Sequence, residues 1–134
     1  MPARPNPPTW LSRIVVDAIH IDQIREHGGP TGLRDENSLE SALARAQHQW
    51  LYEDVTDLAD LAAAYGFALA RNHPYVDGNT RVALVAMLTF LALNGQAINA
   101  TDEDVLVTML ALAAGRLSER ALAAWLRSRL EPLA

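Results

Sequence analysis

The chain contains no cysteine. Disulfides, thiolate nucleophiles and Cys-ligated zinc are therefore excluded, and a reducing compartment is permitted. Lysine is absent too, because all 11 basic residues are arginine. A Walker P-loop, a Schiff base and a kinase-type strand lysine all need that ammonium, so none of them is available. If the chain handles phosphate, it must do so with arginine, backbone amides and a metal. Positive charge is in the minority, with 11 basic against 16 acidic side chains and a formal net charge of -5. Together with a pI near 5.2, this argues against direct nucleic-acid binding and against an anionic membrane surface. His20, His27 and His48 lack HExxH or any two-histidine-one-carboxylate spacing, so they read as surface or cap residues. Glycine-rich cofactor fingerprints are absent as well.

What is present is apolar and helical. Half of the 134 residues are hydrophobic, enough for one continuous core with no composition break to argue for a second. The opening MPARPNPPTW has four prolines and no apolar h-region. Residues 1–9 are therefore expected to be a disordered lead-in to a single domain over 10–134, in a cytoplasmic protein. Apolar residues recur at helical spacing from Trp10 to Glu26, and Gly28 and Gly29 stop that helix near His27. Asp35 or Asn37 caps a second helix carrying Leu39, Leu43 and Ala46. The least periodic stretch, QHQWLYEDV, reads as a loop or a strand-like flap. Thr56 then caps a helix through Arg71.

Val82 to Leu93 is apolar except for Thr89, so this helix is expected to be buried on most of its circumference and central to the domain. It is too short for a membrane span, which needs about 20 such residues. Thr101 opens a further helix that Gly115 closes, and Ser118 caps a last one with Ala121, Leu122, Trp125, Leu126 and Leu130 facing inward. The acidic group Asp102, Glu103 and Asp104 offsets a helix dipole. No alternating strand run appears. The expected class is all-α, a compact bundle of about six helices around a buried central helix.

Between the Thr56 helix and the central one lies HPYVDGNTR, His73 to Arg81. Pro74 fixes its own φ and biases His73 away from α geometry, so the preceding helix ends there and the imidazole sits on a stiffened turn. Tyr75 is a candidate anchor to the core. Asp77, Gly78 and Asn79 are turn formers, and Gly78 lets the backbone approach a ligand closely. The amides from Asn79 to Arg81 fall in the first turn of the next helix, where free N–H groups and the dipole favour an anion. His73 suits a general base titrating near neutral pH. Asp77 offers a hard oxygen for Mg²⁺, which often takes one or two protein carboxylates plus phosphate oxygens and water. Arg81 can grip phosphate oxygens in a two-pronged geometry.

These residues resemble the Fic/Doc motif, HxFx followed by Asp or Glu, a small residue, Asn, then Gly or Lys, then Arg. The stretches GGPTGLRDENSLESALARAQ, LADLAAAYGFALARNHP, LTFLALNG and AAGRLSERALAAWLR extend the resemblance from Ile19 to Leu126, and they are similar to the short, Doc-type branch. The resemblance implies the all-α Fic/Doc fold, with His73 as the catalytic histidine and Asp77 as the metal-ligating acid. Gly78, Asn79, Thr80 and Arg81 then form the phosphate-binding segment. It also implies ATP as substrate with Mg²⁺, a threonine of EF-Tu as target, and a Phd-like antitoxin whose C-terminal segment folds onto the toxin. Typical Fic proteins transfer AMP instead, so adenylyl transfer and a catalytically silent binding protein are the alternatives. Thr80 stands where Doc has lysine and Fic has glycine, and Leu84 where the longer Fic motif has a second arginine. The antitoxin groove is expected around Trp50 and Tyr52 with the exposed side of the first helix.

Overall fold

Most helices begin at a side chain able to bond their first orphan amides. The computed structural model describes residues 4–134, and in it α1 (Arg13–His27) starts from Ser12, whose hydroxyl accepts from the Val15 N–H. Asp35 does the same for α2 (Glu36–Tyr52) and Asp57 for α3 (Leu58–Asn72). Thr101 and Ser118 cap α5 (Asp102–Ala113) and α6 (Glu119–Arg127). Only α4 (Asn79–Leu93), among the described helices, has no side-chain cap, because Gly78 occupies that position. Gly28, with φ +78°, ends α1 where the sequence places its end. Of the lead-in, residues 1–3 lie outside the described residues. Residues 4–9 carry no regular secondary structure, and Thr9 exchanges backbone hydrogen bonds with the Asn94 amide at the end of α4.

The sequence reading is corrected at several places. QHQWLYEDV is not a flap, because α2 runs on through Tyr52. Ala46, Gln49 and Trp50 share the inner face of that helix. Trp50 is only 6% exposed and meets Trp10 edge-on at 6.1 Å, while the buried Gln49 amide donates to Glu119 at 3.0 Å. A polar residue that finds a partner breaks the apolar rhythm without breaking the helix. The α3 cap is Asp57 instead of Thr56, since one carboxylate oxygen accepts from both the Ala59 and Asp60 N–H groups and adds favourable charge at the positive helix end. Leu130 belongs to no helix. It pairs with Ile98 in a two-stranded antiparallel sheet of β1 (Gln96–Ile98) and β2 (Leu130–Pro132), strands too short to show alternation. On α6, Leu122, Ala123 and Leu126 are buried, whereas Ala121 is exposed.

Among the described residues the architecture is six helices and a small two-stranded sheet. α3 is its hub. Ten of its 15 residues are buried, against seven of 15 in α4, and α2, α4 and α6 all pack on it. The cause is its alanine content, because Ala59, Ala62, Ala63, Ala64, Ala68 and Ala70 keep its surface low enough for neighbours on every side. The apolar surplus of α4 is partly left over, since Leu84, Val85 and Leu88 are only half-buried and Leu93 is exposed. Gly66 of α3 packs against α4, where a Cβ would collide with the Met87 side chain. Gly66→Val should therefore cost about 1–3 kcal/mol by overpacking, read as a lower urea midpoint at unchanged slope. A wild-type midpoint would contradict that packing. Among the described residues no helix is long and apolar enough to cross a membrane.

Candidate active site

The loop between α3 and α4 is held from three directions. His73 sits at the C-cap of α3 in the left-handed region, with φ 47° and ψ 56°, a conformation that costs a non-glycine residue of the order of 1 kcal/mol. Arg34 holds it there, donating to the His73 carbonyl at 2.5 Å and to the Asn72 carbonyl at 2.6 Å. The segment around Arg34 runs alongside the loop. Val76 donates to the Gly32 carbonyl, the Arg34 and Asp35 N–H groups donate to the Pro74 carbonyl, and Leu33 bridges Tyr75.

The second restraint is Asn79, which is 9% exposed. Its side-chain oxygen accepts from the Tyr75 N–H at 2.9 Å, and its amide nitrogen donates to the Tyr75 carbonyl at 3.0 Å. Both ends of the side chain are thereby committed to closing the turn. What Asn79 presents to a ligand is its backbone N–H.

The third restraint comes from α1. Tyr75 is buried, and its hydroxyl donates to Asp17 at 2.7 Å. Asp17 also accepts from Arg13 at 2.8 Å, and the Arg13 guanidinium reaches Glu36 and Glu40 on α2. His20 departs from the surface role read for it. It is 3% exposed, its ring lies flat on Tyr75 with centroids 3.9 Å apart and planes at 9°, and its Nε2 is 3.2 Å from the Asp77 carbonyl. His27 and His48 are exposed.

Burial pushes the Tyr75 hydroxyl well above its ordinary value, and the Asp17 carboxylate adds to the shift. Tyr65, buried with its oxygen accepting from the Leu11 N–H, is pushed up from 10 to about 12, chiefly by burial. Both tyrosines ionise near pH 10 once unfolded, so the stability they contribute is complete below that pH and is lost as pH rises above it. The urea midpoint should fall as pH rises from about pH 10 to pH 12, and Tyr75→Phe should flatten that fall. A flat wild-type profile across the interval would contradict the burial of both hydroxyls.

The groups left facing outward share one cavity of about 330 Å³, lined by His73, Val76, Asp77, Gly78, Asn79, Thr80 and Arg81. The first intrahelical bond of α4 runs from the Val82 N–H to the Gly78 carbonyl. The N–H groups of Asn79, Thr80 and Arg81 precede it and have no intrahelical acceptor. Arg81 contributes a guanidinium whose buried Nε has no hydrogen-bond partner. Asp77 is exposed. Its Oδ1 accepts from the Gly78 N–H at 2.8 Å, and its Oδ2 lies over Gly29, where a Cβ would collide with it. Among the described residues no group of three or more His, Asp or Glu is gathered as a metal cage. A single carboxylate with one open oxygen suits Mg²⁺ brought in with phosphate oxygens.

A second hollow of about 340 Å³ adjoins the first and shares Thr80 and Arg81 with it. It runs between α4 and α5, and its walls are Leu84, Val105, Leu106, Met109 and Leu110, with Asp102 at the edge. A larger cavity, about 490 Å³ between α2 and α3, contains no residue of the HPYVDGNTR segment. Of the surface expected to meet an antitoxin, Trp50 is packed inside the domain, while Tyr52 is 74% and Ile14 81% exposed. The structure thus gathers every residue singled out in the motif, and adds His20, Asp17, Arg34 and Gly29 as its supports. Periodicity held a clue to His20, since Val16, His20 and Ile24 recur at four-residue steps on the buried face of α1.

An all-helical scaffold that presents a histidine, a carboxylate and an arginine around an uncapped helix start defines a class, and comparison with known proteins agrees. Residues 10–91 match the Fic/DOC family, and the chain belongs to that family. Two relatives narrow the place within it. The protein kinase doc of Escherichia phage P1 is 36% identical over 110 residues, covering 82% of this chain and 86% of that protein. The toxin Doc of Mycolicibacterium smegmatis is 46% identical over 79 residues, 58% of this chain and 60% of that protein. The affinity is therefore with the Doc branch.

Proposed function

We propose that this chain is a Doc-like toxin of a toxin–antitoxin pair, an enzyme that moves a phosphoryl group from ATP to a hydroxyl of a protein target, with EF-Tu in the cytoplasm as that target by resemblance. The observation that carries this reading is the open N-terminus of α4. Among the described helices it alone lacks a side-chain cap, and its three unpaired amides meet His73, Asp77 and Arg81 in one cavity. A helix start with free N–H groups and a neighbouring guanidinium is a phosphate site.

In this reading the Asn79, Thr80 and Arg81 N–H groups and the Arg81 guanidinium hold the phosphates. Turning the Arg81 side chain toward the cavity would give its buried, unpartnered Nε an acceptor. His73, exposed at the cavity rim on a restrained backbone, takes the proton of the incoming hydroxyl as its oxygen bonds to the γ-phosphorus and the bond to the leaving ADP breaks. Asp77 is the residue that would hold Mg²⁺, through its open oxygen, and the ion would supply charge neutralisation on the phosphate oxygens. The apolar hollow between α4 and α5 continues from Thr80 and Arg81 and takes the nucleoside. Leu84 forms part of its wall, so this surface is apolar where the longer Fic motif carries a second arginine.

Adenylyl transfer is the second reading, and Thr80 leaves it open. A neutral hydroxyl stands where Doc uses lysine, so Arg81 is the only arginine or lysine among the described residues lining the cavity, and ATP can lie either way round. Incubation with EF-Tu and ATP labelled at the α or the γ phosphate separates the two. Phosphoryl transfer leaves γ label on the target. Retention of α label alone would sink it in favour of adenylyl transfer. The regulatory partner is an antitoxin whose C-terminal segment covers the toxin surface.

A further inference from the structure

We propose that His20 is a positioning residue for the Asp77 carboxylate, acting through the peptide bond between Asp77 and Gly78. The inference rests on the proposed role of Asp77 and goes beyond it, because His20 lies on α1 and does not line the cavity. A carbonyl oxygen can only accept, so the 3.2 Å contact between His20 Nε2 and the Asp77 carbonyl requires the proton on Nε2. That carbonyl is one end of a planar peptide unit. Its other end is the Gly78 N–H, which donates to Asp77 Oδ1 at 2.8 Å. Fixing the oxygen therefore fixes the direction of the N–H, and the N–H fixes the carboxylate.

One carboxylate oxygen is held in this way and the other is turned out over Gly29. The rest of the bed is built to keep the peptide in that plane. The ring of His20 is clamped flat against Tyr75, and Tyr75 is itself tied to Asp17 and Asn79. Ile24, one turn further along α1, stands 3.4 Å from the position a Cβ on Gly78 would take. Gly78 needs its φ of +79° to make the turn and has few other restraints of its own. Without the His20 bond the peptide is free to rotate, and Oδ1 loses its donor.

Two substitutions divide the imidazole into its parts. His20→Phe keeps a flat ring on Tyr75 and loses the donor, whereas His20→Gln keeps a donor and loses the ring. The full chain is followed by ¹⁵N amide spectra, which also report folding, and by electron paramagnetic resonance of Mn²⁺ with ADP. In His20→Phe the Gly78 amide should move away from its hydrogen-bonded position, and Mn²⁺·ADP binding should weaken about tenfold, the scale of an outer partner of a metal ligand. His20→Gln should restore most of both. A Gly78 amide unmoved in His20→Phe, or moved equally in both variants, overturns the proposal. Asp77→Asn, measured beside them, keeps the metal reading separate. If it binds Mn²⁺·ADP like wild type, the metal role of Asp77 falls, while the Gly78 amide still decides whether His20 sets the loop.

Discussion

Replacing His73 with alanine is expected to lower phosphoryl transfer by about 10²–10⁴-fold, the usual contribution of a positioned general base, while leaving thermal unfolding unchanged. The second half of that expectation is as structural as the first. His73 is exposed, no side-chain hydrogen bond holds its ring among the described residues, and only its carbonyl is engaged, by Arg34. Alanine removes the imidazole and keeps the carbonyl. The left-handed backbone at φ 47° is no easier for alanine than for histidine, so stability should barely move. The same variant speaks to the catalytically silent alternative. If expression of the wild type arrests growth and the His73→Ala chain does not, a protein acting through partner binding alone is ruled out. If both arrest growth equally, the imidazole is not the working group.

Asn79→Ala should behave in the opposite way, losing stability as well as activity. Its side chain closes a two-way bond with the Tyr75 backbone in a buried position. Truncation leaves a buried N–H and a buried carbonyl without partners, at about 1–3 kcal/mol each. Partial relaxation brings the expected total to about 2–4 kcal/mol, and at roughly 3 °C per kcal/mol for a chain of this size the melting temperature should drop by roughly 6–12 °C. Activity falls too, because the same bonds set the start of α4 and the direction of its free amides. A large activity loss with an unchanged melting temperature would contradict the structure, since it would mean that the Asn79 amide contacts the substrate instead of the loop.

The contrast between these two residues shows how far the sequence could be read. Spacing and residue type placed His73, Asp77 and Arg81 on one loop, because each is a side chain that lines the cavity instead of closing the turn. Asn79 has the same apparent credentials, yet its side chain turns inward, and nothing in the order Asp-Gly-Asn announces that Tyr75 will offer it both a donor and an acceptor. Helix boundaries were legible where a single local cap decides them, at Asp35, Gly28, Thr101 and Ser118. They were missed where two neighbours compete, as Thr56 does with Asp57, and where tertiary partners decide, as Glu119 does for Gln49 at the end of α2.

Hydrophobicity marked α4 as central, and α1, α3, α5 and β1 do pack on it. What it did not show is that α3 shares the centre, because small side chains let α2, α4 and α6 approach it at once. The surplus on α4 goes to the wall of the hollow beside Thr80 and Arg81. His20 was hidden for a related reason. Read as a surface or cap residue, it is instead buried, and only the fold shows that the Asp77 carbonyl satisfies its ring.

The central claim is that the uncapped start of α4 receives the phosphates of a nucleotide, and the most direct test is amide mapping of the full chain on addition of ATP with Mg²⁺. The expected result is a saturable, Mg²⁺-dependent shift of the Asn79, Thr80 and Arg81 amides, accompanied by residues of the α4–α5 hollow. Saturable ATP binding that leaves those three amides unmoved would contradict the account.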